Sequence, residues 1–312
     1  MDEIVRHARE RIDKGSKSFA VAARLFQPAV RDDAFMLYAW CRHCDDLIDD
    51  QELGFARAPD AATTPAERLA ELREQTRRAM AGEAEHPVFV ALSRVVARHR
   101  IPERHPLELL DGFAMDVEGR RYRSLDDTLA YCYHVAGVVG VMMAMIMGPR
   151  DRATLNRASD LGIAFQLTNI ARDVMEDAAS GRVYLPEDWL EGEGVPVSEV
   201  ADAKHRAGVF RVVARLLDVA DDYYASSSYG VSRLPFRSAW AICAARRVYR
   251  DIGQVVRERG PEAWDSRAVV GTGRKLAGVG LGAAAAARAA TLGRYARPPA
   301  RTDLWTHPDL GA

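Results

Sequence analysis

The sequence predicts an all-α protein, and three observations carry that reading. Apolar residues recur at helical spacing along nearly all of the 312 residues, no stretch alternates as a strand would, and capping signals mark where helices begin. Thr64-Pro65-Ala66-Glu67 is a capping box with proline at the first helical position, and Ser124-Leu125-Asp126-Asp127 is a similar acidic start. The stretch from Tyr38 to Asp49 reads as helix. Gln51 to Thr64, with Gly54 and Pro59, reads as an exposed loop, and Pro87, Pro102 and Pro106 punctuate the short helices that follow. A long helix is expected from Leu125 to about Met147 and another from Asp151 to about Ala178. The string Gly181-Arg182-Val183-Tyr184-Leu185-Pro186 then breaks the pattern, and a loop there is placed to close over a ligand. Further helices are expected over 206–228, 236–257 and 266–294, ahead of Pro298-Pro299. A single domain over 1–297, with an extended C-terminal tail over 298–312, follows.

Composition narrows the function classes. Apolar residues make up 48% and charged residues 28%, as in an ordinary soluble globular protein, and a net charge of −1 offers no field for nucleic acid. The N-terminal residues lack the apolar core of a secretory signal, so a cytoplasmic protein is expected. Cys41, Cys44, Cys132 and Cys243 are too few and scattered for a disulfide framework. Cys41-Arg42-His43-Cys44 matches a C-x-x-C string, but no suitably spaced second pair completes a zinc site, so two buried thiols are expected. The run Val135 to Gly148 is about 14 residues, short of the roughly 20 a membrane span needs. Leu276 to Leu292 is Ala- and Gly-rich with Arg288 inside, so no transmembrane anchor is expected.

Two acidic clusters point to chemistry. On a helix, Tyr38, Arg42, Asp45 and Asp49 fall within about 60° of one another, and Gln166, Asn169, Asp173 and Asp177 within about 80°. Carboxylates one turn apart repel, so two such stripes call for positive charge between them. Mg²⁺ usually takes one or two carboxylates and completes its shell with water and phosphate oxygens, which suits a metal-bridged diphosphate; Mn²⁺ is the alternative ion. A third pair, Asp218 and Asp222, lacks such company and reads as solvated surface. Ionising an allylic diphosphate leaves a carbocation that must be kept from water. The methionine-rich stretch Val135 to Met147, with Gly137 and Gly140, is suited to line such a cavity, and Phe19, Tyr38, Phe165 and Tyr249 can offer π faces to a cation.

Six strings occur in one order along the chain: Gly15-Ser16-Lys17-Ser18-Phe19, Leu37 to Asp46, Gly112 to Asp116, Tyr131 to Gly140, Gln166 to Asp173 and Gly181 to Pro186. With them the chain resembles the squalene/phytoene synthase family over nearly its whole length, most closely the bacterial phytoene synthases. The resemblance implies an isoprenoid synthase helical bundle with a central cavity, joining two prenyl diphosphates head to head in two ionisation steps through a cyclopropyl diphosphate. It implies that Asp45, Asp49, Asp173 and Asp177, with Asn169, hold the metal. Arg42, Gln166, Asn169, Tyr249 and Arg267 would bind diphosphate, and Ser16, Ser18 and Phe19 would lie beside the substrates. For proton removal the candidates are Tyr38, Tyr131 and the released diphosphate. A neutral tyrosine is a poor base at its usual pKa near 10, which favours the diphosphate.

Squalene synthases of the family reduce the final cation with NADPH, and no dinucleotide fingerprint is visible here, so proton loss to a triene without NADPH is expected. Two geranylgeranyl diphosphates giving phytoene is the favoured reaction. Farnesyl diphosphate giving dehydrosqualene or squalene is the alternative, and a non-catalytic helical assembly factor is the alternative of another class. A terpene cyclase or chain-elongating prenyltransferase fits Asp45-Asp46-x-x-Asp49 but not the second cluster. Arg267, Arg274, Lys275, Arg288, Arg294, Arg297 and Arg301 make the C-terminal region basic, which suits peripheral binding to an anionic membrane at its inner face and hand-over to a downstream desaturase.

Overall fold

The computed structural model describes residues 3–15, 22–49, 51–52, 55–56, 63–293, 295 and 297–308, and for residues 11–15, 51–52 and 55–56 the backbone alone. Helices dominate it. In chain order they are α1 (Glu3–Gly15), α2 (Pro28–Ile48), α3 (Pro65–Ala81), α4 (Pro87–His99), α5 (Arg104–Val117), α6 (Leu125–Cys132), α7 (Val138–Met147), α8 (Arg152–Ala179), α9 (Glu187–Gly192), α10 (Arg206–Ser227), α11 (Phe236–Arg259) and α12 (Thr272–Arg288). Within the segment read from sequence as an exposed loop, Gln51–Glu52 pairs antiparallel with Phe55–Ala56, a ladder two residues long.

Local chemistry sets the helix starts. Thr64 accepts the backbone N–H of Glu67 while the Glu67 carboxylate takes the Thr64 N–H at 2.8 Å, and Ser124 with Asp127 repeats the device. Asp151 caps α8 through the Thr154 N–H at 3.0 Å. The last C-terminal helix begins at Thr272 rather than near 266, because the backbone from Arg267 to Gly271 is not helical.

The long segment from Leu125 to Met147 is continuous but not regular. A π-helical turn, Tyr133–Gly137, joins α6 to α7, and the Val138 N–H reaches back to the Tyr133 carbonyl. This wide turn lets Tyr131 before it, Ala136 within it and Val139, Gly140 and Met143 after it all face one interior cavity. Tyr133 points the other way, fully buried, and donates to Glu108 at 2.8 Å. The rod crosses α8 at backbone contact. A Cβ at Gly162 would lie 2.2 Å from the Ala136 carbonyl oxygen, and one at Gly140 would lie 2.4 Å from that of Ala158. Glycine is required at both positions for lack of room.

The chain from residue 297 to 307 is not helical, and it lies against the bundle. Leu304 and Trp305 pack on the main core, the Trp305 N–H donates to the Tyr223 hydroxyl at 3.0 Å, and His307 stacks on Tyr133 with ring centroids 4.5 Å apart. All four cysteines are free, and burial pushes the Cys41 thiol up to about 12. Thiolate chemistry at the C-x-x-C string is thereby disfavoured. Asp218 is exposed and pairs with Arg257 at 2.7 Å, a surface ion pair.

Gly162→Ala should lose about 1–3 kcal/mol to overpacking, read as a fall in Tm by thermal denaturation. Gly192→Ala, where an added Cβ meets nothing within 4 Å, should leave Tm unchanged.

Candidate active site

Both acidic clusters sit at helix C-terminal ends. Asp45 and Asp46 lie in the last turn of α2 with Asp49 as its C-cap, and Asp173 and Asp177 lie in the last two turns of α8. Carboxylates there face the negative end of the helix dipole as well as one another, so each cluster is unfavourable twice over without cations. The two clusters open onto one cavity of about 760 Å³, large among small-molecule sites. Asp45, Asp49, Asp173, Asp177, Tyr38, Tyr131, Arg42, Gln166, Asn169, Tyr249 and Arg267 all line it. Ser16, Ser18 and Phe19 fall outside the described residues, although Ala22, Ala23 and Phe26 just beyond them line the same cavity.

Arginines supply part of the missing charge. Arg42 pairs with Asp45 at 2.9 Å and with buried Asp46 at 3.0 Å. Arg172 donates Nε to Asp173 at 2.8 Å and Nη2 to its other oxygen, and Arg267 reaches Asp173 at 3.3 Å. Arg182 joins the clusters: its side chain donates to Asp49 at 2.7 Å while its backbone N–H donates to the Asp177 carbonyl at 2.9 Å. Gly181, at φ +81, makes the left-handed turn that aims it there. Sequence reading gave Arg182 and Arg172 no role of their own.

A second group was also missed. Asp116, at the end of α5, accepts the hydroxyls of Tyr131 at 3.1 Å and Tyr184 at 2.9 Å. The two rings stack with centroids 4.6 Å apart, and Tyr122 meets each at about 5.5 Å. Burial first, then the neighbouring Asp116 charge, raises the Tyr131 phenol well above its ordinary value. The Tyr131 hydroxyl is thereby held as a donor to Asp116 while the residue lines the cavity. The signal for Asp116 was thin, a lone carboxylate four residues after Gly112 with no periodic partner.

Across the mouth, burial and mutual repulsion shift three carboxylates. Asp45 rises to about 6, chiefly by withdrawal from water, with Arg42 opposing and Asp49 adding. Asp116 rises to about 6 by burial, against the pull of the tyrosine hydroxyls and Arg182, and Asp177 to about 7 by burial and then Asp173.

The donors fit Mg²⁺. All are hard oxygens, no cation pairs with Asp177 among the described residues, and the Asn169 side-chain oxygen is buried with no partner beside Asp173. Among the described residues no three His, Cys, Asp or Glu side chains converge on one point, so the protein offers part of a coordination shell, not a closed cage.

Away from the mouth the lining is apolar. Val139, Met143 and Met147 of α7 face Leu161 and Phe165 of α8, and Phe165 stacks on Tyr249 with centroids 4.2 Å apart. A charged end feeding a mainly apolar interior, with π faces between, is suited to holding a diphosphate while sheltering a cation on its hydrocarbon.

The squalene/phytoene synthase family model matches residues 12–274. The chain belongs to this family. It is 50% identical over 306 residues to a 15-cis-phytoene synthase of Pantoea ananas, covering 98% of each chain, and 49% identical over 309 residues to one of a Paracoccus species, covering 99% of each. Among solved structures it is similar to a dehydrosqualene synthase in complex with ligand, at TM-score 0.81 and 26% identity over 90% of this chain and 96% of that one. A squalene synthase from Alicyclobacillus acidocaldarius superposes at TM-score 0.73 and 26% identity, over 82% and 94%. The enzyme thus has the isoprenoid synthase bundle of these relatives.

The three raised carboxylates set a pH dependence. Each binds its proton more tightly folded than unfolded, so the native state carries more protons above pH 3.8, and the stability this gives is lost as pH rises through 6 to 7. In metal-free protein with EDTA, Asp177→Asn should raise Tm over the unsubstituted enzyme at pH 8, and the two should converge at pH 5. Parallel melting profiles would contradict the assignment.

Proposed function

We infer that the enzyme is a phytoene synthase that condenses two geranylgeranyl diphosphates head to head and releases two diphosphates. The observation that carries the chemistry is one cavity, with both carboxylate clusters at one end and a mainly apolar lining beyond. The product assignment is supported by about 50% identity to 15-cis-phytoene synthases over almost the whole chain. That the product is made without NADPH is an expectation drawn from the sequence.

Asp45, Asp49, Asn169, Asp173 and Asp177 would hold Mg²⁺, or Mn²⁺, together with phosphate oxygens and water. The bound ion neutralises charge on the departing diphosphate. Arg42, Arg172, Arg182 and Arg267 exchange their carboxylate partners for diphosphate oxygens, with Gln166 and Tyr249 lining the same end. The C1–O bond of the donor breaks, and its allylic cation alkylates the acceptor double bond. Loss of a proton then closes the cyclopropyl diphosphate, the second diphosphate leaves, and the rearranged cation loses a second proton to give the triene. Diphosphate is the favoured proton acceptor, with Tyr38 and Tyr131 as the alternatives; the Tyr131 and Tyr184 hydroxyls donate to Asp116.

The hydrocarbon product needs a destination. Two helical segments are long and apolar enough to cross a membrane: Leu125–Met147, 67% buried inside the bundle, and Thr272–Gly293, 17% buried. The first is a core helix. The second exposes Leu276, Leu281 and Leu292, carries Arg274, Lys275 and Arg288, and has no acidic residue. We place it on an anionic membrane at its inner face, where a downstream desaturase would receive the product. Arg267, Arg274 and Arg301, counted from sequence among the membrane-facing cations, pair instead with Asp173, Glu258 and Asp160, and Lys275 lines the cavity.

Purified enzyme with Mg²⁺ should convert geranylgeranyl diphosphate to a forty-carbon triene with or without NADPH; a thirty-carbon product from farnesyl diphosphate alone would overturn the substrate assignment. Asp45→Asn and Asp173→Asn should each lower kcat by orders of magnitude with an unchanged helical CD spectrum. Sedimentation with anionic liposomes should weaken as salt rises, and binding indifferent to salt and lipid charge would remove the electrostatic attachment.

A further inference from the structure

Far along α8 from the acidic mouth, the cavity lining meets a charged cluster that the reaction does not use. Arg157 lines the cavity there, sixteen residues before Asp173 on α8, or about 24 Å along the helix. An arginine against a hydrocarbon chamber is costly unless its donors are engaged. Here they are: Nη1 donates to Ser226 Oγ and Nη2 to the Pro299 carbonyl, both at 2.5 Å, and the guanidinium lies 5.5 Å from the Tyr229 ring centroid. Gly230 packs against its stem, where an added Cβ would come within 2.9 Å of Arg157 Cβ.

The Pro299 carbonyl belongs to the segment over residues 297–308, and that segment is locked by a second ion pair. Arg301 donates Nε at 2.9 Å and Nη2 at 2.5 Å to the two oxygens of Asp160, which has no solvent exposure, and Ser226 donates to the same carboxylate. Arg301 also donates to Thr306 Oγ1 at 2.8 Å, folding the strap on itself. Arg157 and Asp160 stand one turn apart on α8, so the strap supplies an acceptor to one and a cation to the other. Without it, Asp160 loses its bidentate partner and Arg157 an acceptor, in a place where water is scarce.

We propose that the strap and Arg157 form the end wall of the hydrocarbon chamber and set the longest prenyl chain the enzyme accepts, making Arg157 a specificity-determining residue. A prenyl tail can run along α8 only as far as the guanidinium, since pushing further would strip a charged, hydrogen-bonded group of its partners. The determinant is thus partly a segment outside the helical bundle. The inference rests on the phytoene synthase reading, but its test is a ratio between substrates and leaves that reading standing if it fails.

The experiment is competition among fifteen-, twenty- and twenty-five-carbon prenyl diphosphates on the full-length enzyme with Mg²⁺, reading relative kcat/KM by product mass, with Tm measured alongside. Arg157→Ala should raise use of the twenty-five-carbon substrate relative to the twenty-carbon one by roughly tenfold or more. Arg301→Gln, which loosens the strap without touching the cavity wall, should shift the ratio in the same direction. Val231→Phe, which adds bulk to the lining at the same end, should shift it the opposite way, toward the fifteen-carbon substrate, and it keeps the test alive should either arginine variant fail to fold. A lowered Tm with an unchanged chain-length ratio in the variants that fold would overturn the proposal and leave the strap a structural brace.

Discussion

Like-charge crowding at one cavity mouth is the constraint on which the rest of this structure depends. Two helices end in carboxylates, where the dipole disfavours them, and their ends are brought together out of bulk water. The surroundings answer that repulsion. Arg42 and Arg172 neutralise from within the helices that carry the acids, Arg267 reaches in from beyond α11, and Arg182 bridges the two clusters across a left-handed glycine. What they leave, raised carboxylates at Asp45 and Asp177 and an orphaned oxygen at Asn169, is an unmet demand for positive charge that a metal–diphosphate pair would satisfy.

The apolar half of the site depends on a different condition, the backbone contact between α7 and α8. Gly140 and Gly162 let the two helices approach until any side chain would strike a carbonyl. The π turn at Tyr133–Gly137 then sets which side chains of the rod face inward. Both features place soft and small side chains along the path of the hydrocarbon, with the Phe165–Tyr249 stack between the chamber and the charged mouth. At the opposite end the chamber again meets charge, but there every group is paired: Arg157, Asp160, Ser226 and Arg301 satisfy one another. One end of the cavity is charged and underpaired, the other charged and satisfied.

Much of this was legible in the chain. Local signals decide helix existence: the capping boxes at Thr64 and Ser124 lie where the sequence put them, because the interacting groups are three residues apart. The two stripes were legible for the same reason, since a helix fixes the directions of residues four apart before any tertiary contact forms. Arg172 and Arg182 sat inside recognised strings without a role, and Asp116 had no periodic partner to single it out.

By itself, then, the sequence determined the all-α class, the helices that carry the stripes, and the carboxylates that crowd on each. Only the tertiary structure decided that the stripes share one mouth, that Asp116 gathers Tyr131 and Tyr184, that the long rod contains a π turn, and that the chain after residue 297 returns to pair Arg301 with Asp160. The physical reason is range. Periodicity and capping act within a few residues, whereas Arg301 meets Asp160 across 141 positions and Arg182 meets Asp49 across 133, pairings selected by the shape of the folded chain.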